Sequence, residues 1–137
     1  MRNNSKDCGY VNSRQATCSA SYPIRGICPE GWHLPTSEEF KVLINAVGGN
    51  TKPFVLQSKD FPGWNAATDE YGFTAKPIQV DNNGSNAGKI DFTIFWGVSI
   101  NETDGRPESM GINASEVFIF TDKSGPKYHN SVRCLKD

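Results

Sequence analysis

Residues 26–40 read GICPEGWHLPTSEEF, and this stretch decides the fold because it contains the start of a helix. Thr36 and Glu39 have the S/T-x-x-E spacing of a capping box, in which each side chain bonds the backbone N–H of the other residue. Gly48 and Gly49 favour the left-handed backbone that ends a helix. The sequence therefore predicts one helix between these signals. Its apolar stripe is Phe40, Leu43, Ile44 and Val47, and its solvent face carries Glu39, Lys41 and Asn45.

Residues 50–89 form a long irregular region that follows the helix. Prolines, glycines and the polar run at 81–86 interrupt every helix or strand period. A loop of this length in a compact domain is usually functional or held by its own packing, so we expect aromatic side chains to anchor it. The candidates are Phe61, Trp64, Tyr71 and Phe73.

Two later segments predict a small antiparallel sheet. Residues 92–100 alternate with the period of a strand, and the alternation places Phe92, Ile94, Trp96, Val98 and Ile100 on one apolar face. Residues 117–120 predict a strand buried on both faces, with a turn at 122–125 and an antiparallel partner at 128–135. One early helix, a long loop and a late sheet make an α+β domain.

Length and composition limit the size of the domain and its partners. The 137 residues, of which 36% are hydrophobic, suffice for a single domain with one core. The net charge of −1 favours neither a nucleic acid nor an anionic membrane. No apolar run approaches the roughly 20 residues of a bilayer span, and residues 1–7 lack the apolar centre of a signal peptide, although a signal could have been removed.

Four cysteines, Cys8, Cys18, Cys28 and Cys134, predict disulfide bonds and an oxidising compartment. Zinc is the less favoured alternative because the cysteines are widely spaced and the chain has only two histidines. Three pairings are possible. We favour Cys8 with Cys18, which closes a short loop, and Cys28 with Cys134, which ties the start of the core to the end of the chain. In the chain-entropy model the short loop contributes about 3 kcal/mol to stability, and the long loop contributes more than about 4 kcal/mol.

Several segments resemble, in order, the blocks of the Fibrobacter succinogenes major paralogous domain. The similar segments are residues 26–36, 46–49, 71–75, 95–96 and 131–137. The resemblance implies a fold similar to C-type lectins and to the formylglycine-generating-enzyme superfamily. It also implies an exported, often lipid-anchored protein of Gram-negative gut or rumen bacteria, with no established reaction. The spacing of Cys8 and Cys18 is similar to a short cysteine loop in many members.

Two departures from the family pattern bear on function. Only seven residues precede Cys8, whereas members commonly carry a strand and a tryptophan-containing block there, so we expect residues 1–137 to be one domain that lacks this strand. Residues 97–130 contain a single tyrosine, whereas many members are rich in tyrosine and asparagine in this segment.

Polar residues of the late loops are the candidates for ligand binding, since the resemblance implies that these loops form the exposed binding surface. The alternative is that each is a solvated turn residue. The set comprises Asn101, Glu102, Asp104, Arg106, Glu108, Asn113, Lys127, Tyr128, His129 and Asn130. Stacking on a sugar could involve Trp64, Tyr71 or Tyr128, whereas Trp32 and Trp96 are assigned to packing.

The sequence lacks the motifs that a metal site or a catalytic site would require. Residues 81–92 fail as a calcium-binding EF-hand loop, because the sixth position is Asn86 rather than glycine and the twelfth is Phe92 rather than an acid. An incidental calcium ion could still bind Asp69, Glu70, Glu102 or Asp104, and no other cofactor is expected. His33 and His129 have no nucleophile at a motif spacing, so we expect no enzyme activity.

Two functions follow as hypotheses. The first is a non-catalytic binding or adhesion domain on the cell surface, which contacts polysaccharide, a host glycan or a surface protein through its C-terminal loops. The second is an assembly module that pairs with sister domains or a pilus-like subunit through an open sheet edge.

Overall fold

The structure, a computed structural model, describes residues 10–11, 14–15, 22–61, 63–77, 92–103, 105–121 and 130–137. The short strands β1 (Tyr10–Val11), β2 (Arg14–Gln15) and β3 (Trp32–His33) precede helix α1 (Ser37–Ala46). A 3-10 turn (Pro53–Val55) is followed by strands β4 (Phe92–Ile100), β5 (Pro107–Asn113), β6 (Val117–Thr121) and β7 (Leu135–Lys136). Within these ranges the domain is α+β, with one α-helix and small antiparallel sheets, as the sequence predicts.

Helix α1 is capped and ended by the residues that the sequence indicates. The Thr36 hydroxyl accepts a hydrogen bond from the Glu39 N–H at 3.3 Å, and the Glu39 carboxylate accepts one from the Thr36 N–H at 2.8 Å. Gly48 and Gly49 have φ angles of 97° and 99°. The stripe of Phe40, Ile44 and Val47 is buried in the main core. Glu39 departs from the prediction, because it is only half-exposed and is held by hydrogen bonds.

The first turn of α1 is bonded to the sheet through Ser37. Its N–H donates to the Ser99 hydroxyl at 2.8 Å, and its own hydroxyl donates to the Glu108 carboxylate at 2.5 Å. The first N–H groups of a helix have no partner inside the helix, so a side chain of β4 supplies one here. These bonds fix the start of the helix against β4 and β5.

Strands β4, β5 and β6 form one antiparallel sheet in that order. The prediction that residues 128–135 pair with β6 is wrong for the described part of that segment, because β5 lies beside β6. Ser131 instead pairs with Phe95 of β4 in parallel. The sequence signal of β5 is weak because Gly111 interrupts it. A Cβ at this position would lie 2.5 Å from the Phe118 ring, so the strand needs a glycine there.

The inward face of β4 is the reverse of the predicted one. Thr93, Phe95 and Gly97 are buried toward the core, whereas Phe92, Ile94 and Trp96 are only half-buried. A register shift after Trp96 then allows the consecutive residues Gly97 and Val98 both to be buried. The helix approaches closely at this point, since a Cβ on Gly97 would lie 3.2 Å from the Phe40 ring. The close approach of the Glu108 carbonyl and the Phe40 ring explains why a glycine stands at position 97.

The described part of the irregular region, residues 50–77 without 62, packs onto the core largely as predicted. Leu56 and Trp64 are buried, and the Phe61 ring meets the Trp64 ring edge-on at 5.4 Å. Phe73 meets Phe95 in the same way. Tyr71 does not anchor the region, because it is 56% exposed. Strand β6 also differs from the prediction, since Val117 is its only buried residue.

The two ends of the core meet at Cys28. The predicted disulfide between Cys28 and Cys134 is present, and β3 pairs with β7 beside it in an antiparallel ladder. Cys28 is buried with Leu34 and Val98 in a second, smaller cluster. The predicted pair of Cys8 and Cys18 lies outside the described residues. Across the described ranges, no helix is both long enough and apolar enough to span a bilayer.

Replacing Cys28 and Cys134 together by alanine is expected to lower the free energy of unfolding by about 4–5 kcal/mol, because the bond closes a loop with a sequence separation of 106. Urea denaturation without reductant measures the loss. The control Cys8→Ala, Cys18→Ala opens only the predicted short loop and should cost about 3 kcal/mol. A smaller loss for the Cys28 and Cys134 variant than for this control would contradict the expectation.

Candidate functional site

The loop between β4 and β5 is exposed but tightly built. Asn101 donates its N–H to the Arg106 carbonyl and accepts the Gly105 N–H on its own carbonyl, both at 2.8 Å. Its side-chain oxygen accepts the Thr103 N–H at 2.9 Å. Glu102 stands exposed at the tip of this turn. The loop therefore presents Glu102 from a rigid base, while Asn101 shapes the turn.

Asn113 lies at the opposite end of the sheet from Asn101. Its side-chain oxygen accepts the N–H groups of Ser115 and Glu116, both at 2.8 Å, and so forms the turn between β5 and β6. The buried Gln57 donates to its carbonyl at 2.7 Å. Because successive strands are antiparallel, this turn and the Asn101 turn face opposite ends of the domain. The structure thus separates Asn113 from Asn101, Glu102 and Arg106.

The remaining predicted polar residues fall into other places. Glu108 accepts the Ser37 hydroxyl and is tied to the helix. Asn130 is half-buried and precedes Ser131, which is bonded to the middle of β4 rather than to its end. Asp104, Lys127, Tyr128 and His129 lie outside the described residues. Of the predicted binding residues, those that the structure describes at this end of the sheet are therefore Asn101, Glu102 and Arg106.

The aromatic candidates for sugar stacking differ in their exposure. Trp64 is 3% exposed and belongs to the core, which rules it out as a stacking surface. Tyr71 is exposed in a separate turn, where both carboxylate oxygens of Asp69 accept bonds from Thr74. Trp32, predicted to pack, is 39% exposed. Tyr22, which the sequence did not single out, is 58% exposed.

A cavity of about 350 Å³ opens beside the N-terminus of α1. It is lined by Tyr22, Pro23, Ile24, His33, Leu34, Thr36 and Glu39. The Tyr22 hydroxyl donates to the Val98 carbonyl at 3.3 Å, which attaches this residue to β4. The only sequence signal for Tyr22 is an aromatic ring just before Pro23, close to the 26–40 stretch.

His33 lies between two carboxylates at the base of this region. Its Nδ1 is 2.6 Å from an Asp137 oxygen, and its Nε2 is 2.9 Å from a Glu39 oxygen. The hydrogen bond to Asp137 raises the pKa of His33, and the bond to Glu39 adds to this against the opposing effect of burial. Carboxylates only accept hydrogen bonds, so the protonated ring, with two N–H donors, satisfies both.

Glu39 is the shared member of the helix cap and the histidine pair. Burial raises the pKa of its carboxyl group, but the hydrogen bonds from Thr36 and His33 outweigh burial and lower the pKa overall. With Glu39 ionised and His33 protonated, the two charges offset each other. Both nitrogens of His33 are occupied by carboxylates, which leaves neither to activate a nucleophile.

In the described ranges, no group of three or more His, Cys, Asp or Glu side chains is placed to hold a metal ion. Asp69 and Glu102, two of the residues considered for incidental calcium, lie in different turns. Asp69 uses its carboxylate on Thr74, and those hydrogen bonds lower its pKa.

The chain belongs to the family described as the Fibrobacter succinogenes major domain, whose model matches residues 7–136. The segment resemblance in the sequence is thereby confirmed at the level of the family. No curated protein and no solved structure matches the chain.

The His33 contacts predict a pH-dependent stability. Because the pKa of His33 is raised in the folded state, its contribution is fully present below about pH 6.5, the ordinary value for histidine, and is lost as the pH rises through the raised value. Wild type should lose more unfolding free energy between pH 6 and pH 9 than His33→Gln does. Urea denaturation across this range measures both slopes.

Two further variants sharpen the test. Asp137→Asn weakens the bond that most raises the pKa of His33, so it should reduce the slope toward that of His33→Gln. Lys41→Gln removes an exposed ion pair with Glu38 on the same helix and should keep the wild-type slope. Equal slopes for wild type and His33→Gln would show that His33 does not gain its proton on folding.

Proposed function

We propose that this domain is a non-catalytic binding module of an exported bacterial surface protein, and that its ligand is a polysaccharide or a host glycan. The observation that carries the proposal is the Asn101–Arg106 loop. Three hydrogen bonds set its shape, and it projects the exposed Glu102 from two paired strands. Binding residues are often held in this way, on a loop positioned by a rigid scaffold.

The fold proposed for the domain is C-type-lectin-like, as the family resemblance implies, and in such domains the late loops form the binding surface. The loop between β4 and β5 is a late loop with suitable groups for hydroxyl ligands, namely Glu102 and Arg106. Asp104, Lys127, Tyr128 and His129, which lie outside the described residues, stay candidates for ligand binding by their place in the sequence. Asn113 is left out because it builds the turn at the other end.

Export is proposed from the disulfide. Such bonds persist in oxidising compartments and are rare in the cytosol of most bacteria. The bond between Cys28 and Cys134 is buried on the Cys28 side and closes nearly the whole described core. This supports a cell-surface or extracellular location, with anchoring supplied by the protein to which the domain belongs.

Glu102→Ala tests the binding surface, and Glu116→Ala is its matched control. Both glutamates are exposed in turns of the same sheet, at opposite ends. On a glycan array, followed by titration of the bound glycan, Glu102→Ala should weaken binding at least fivefold because a carboxylate that accepts sugar hydroxyls is lost. Glu116→Ala should stay within twofold of wild type. Equal binding by both variants on every glycan would remove the loop from the proposed site.

An assembly module is the second candidate, and the edge of β6 favours it. The Val117 N–H points away from β5 and donates to the Asn50 carbonyl at 2.8 Å. Backbone direction alternates along an antiparallel strand, so Ile119 and Thr121 also direct their backbone groups away from β5. Within the described ranges, no strand pairs with this side of β6. An edge of this kind can accept a strand from a partner.

Light scattering at several protein concentrations tests assembly. If β6 pairs with another copy, the mass should rise with concentration. Thr121→Pro should prevent the rise, because proline removes an outward N–H at the end of the edge strand. Glu30→Pro, at the exposed second position of the turn formed by residues 29–32 before β3, serves as the control for a proline substitution. A constant monomer mass at all concentrations would argue against self-assembly.

A further inference from the structure

Tyr22 presents an aromatic ring on the rim of the cavity beside α1. The side chain is 58% exposed, yet its hydroxyl is bonded to the Val98 carbonyl, so the ring is both open and held. An exposed, fixed ring offers a flat apolar face at a low cost in conformational entropy. The C–H face of a pyranose sugar is a flat apolar surface of the same kind.

The polar groups beside the ring are arranged to accept hydrogen bonds. A carboxylate has about four acceptor positions. Glu39 uses three of them, one for His33 and two for the N–H and hydroxyl of Thr36. One position therefore remains on Glu39. The Thr36 hydroxyl donates once and accepts once, from the Glu39 N–H, which leaves it a second acceptor position. Both residues line the cavity.

These acceptors select a ligand that donates hydrogen bonds and carries no charge. An anion would meet the Glu39 carboxylate without a donor to compensate. A cation would compete for the Glu39 carboxylate with the His33 ring, which lies 2.9 Å from it. Sugar hydroxyls donate to carboxylate and threonine oxygens without either cost.

Size and position fit one sugar ring of a longer chain. The cavity of about 350 Å³ lies near the lower end of the range for small-molecule sites, which is roughly 300–1,000 Å³. Val98, which holds Tyr22, lies three residues before Asn101, the residue that follows β4, or about 10 Å along an extended chain. A polymer of sugars extends over such distances.

We propose that the cavity lined by Tyr22, Thr36 and Glu39 is a second subsite that binds one neutral pyranose ring of the glycan. The Tyr22 ring stacks on the C–H face of the sugar, and its hydroxyls donate to Glu39 and Thr36. This proposal rests on the proposed function, and it adds a contact surface that lies outside the C-terminal loops.

The test is an NMR titration of the full chain with four soluble hexasaccharides, built from glucose, mannose, xylose or galactose. With a sugar that binds, the amide signals of Ile24, Leu34 and Thr36 should shift, because these residues line the cavity. Tyr22→Ala should weaken binding at least fivefold. Tyr22→Phe keeps the ring and should bind within about threefold of wild type. Tyr71→Ala removes an equally exposed tyrosine elsewhere and should leave binding unchanged.

The outcomes separate this proposal from the binding function itself. If Glu102→Ala weakens binding while Tyr22→Ala does not, the cavity is no subsite and the binding function stands. If Tyr22→Ala and Tyr71→Ala weaken binding equally, the effect is not specific to the cavity and the assignment fails. If none of the four sugars shifts any amide, the subsite proposal is overturned. If tetramethylammonium shifts the Thr36 amide signal and no sugar does, the cavity binds a cation and the pyranose proposal is overturned.

Discussion

Three contacts close the chain between residues 28 and 137, and the position of the helix start relative to the end of the chain depends on this closure. The disulfide of Cys28 and Cys134 is the covalent contact, the pairing of β3 with β7 adds backbone hydrogen bonds, and His33 with Asp137 adds an ion pair. Glu39 joins this closure to the helix cap, since it bonds both His33 and Thr36. One carboxylate thus links the start of α1 to the end of the chain, and the cavity forms where these parts meet.

The sequence predicted the parts of the fold that depend on near neighbours. The cap at Thr36 and Glu39 is local, because the two residues are three apart and satisfy each other, and the helix follows from it. Strand β5 was not predicted, since its Pro107, Glu108 and Gly111 have low strand propensity and only pairing with both β4 and β6 makes it a strand. The glycine at position 97 depends in the same way on residues that are distant in sequence, since Phe40 and Glu108 leave no room for a side chain there.

The grouping of residues in the candidate site also depends on contacts that are distant in sequence. Asn101 and Asn113 look alike in sequence, as polar residues in loops after apolar runs, and both use their side chains to build turns. Only strand order reveals that they stand at opposite ends of the domain. Tyr22 carried almost no signal, because its exposure and fixed position depend on Val98, a residue 76 positions away. Local chemistry identifies residues suited to loops, whereas distant contacts decide which of them share a surface.

The disulfide also determines how the domain carries mechanical load. The Cα atoms of Cys28 and Cys134 are 5.8 Å apart and covalently joined through their sulfurs. Tension applied to the chain before Cys28 and after Cys134 therefore passes through that bond and bypasses the helix and the three-stranded sheet. Shear that would peel apart a sheet in an open chain is confined to the flanking residues. A module built this way keeps its loops in shape while the chain around it is stretched.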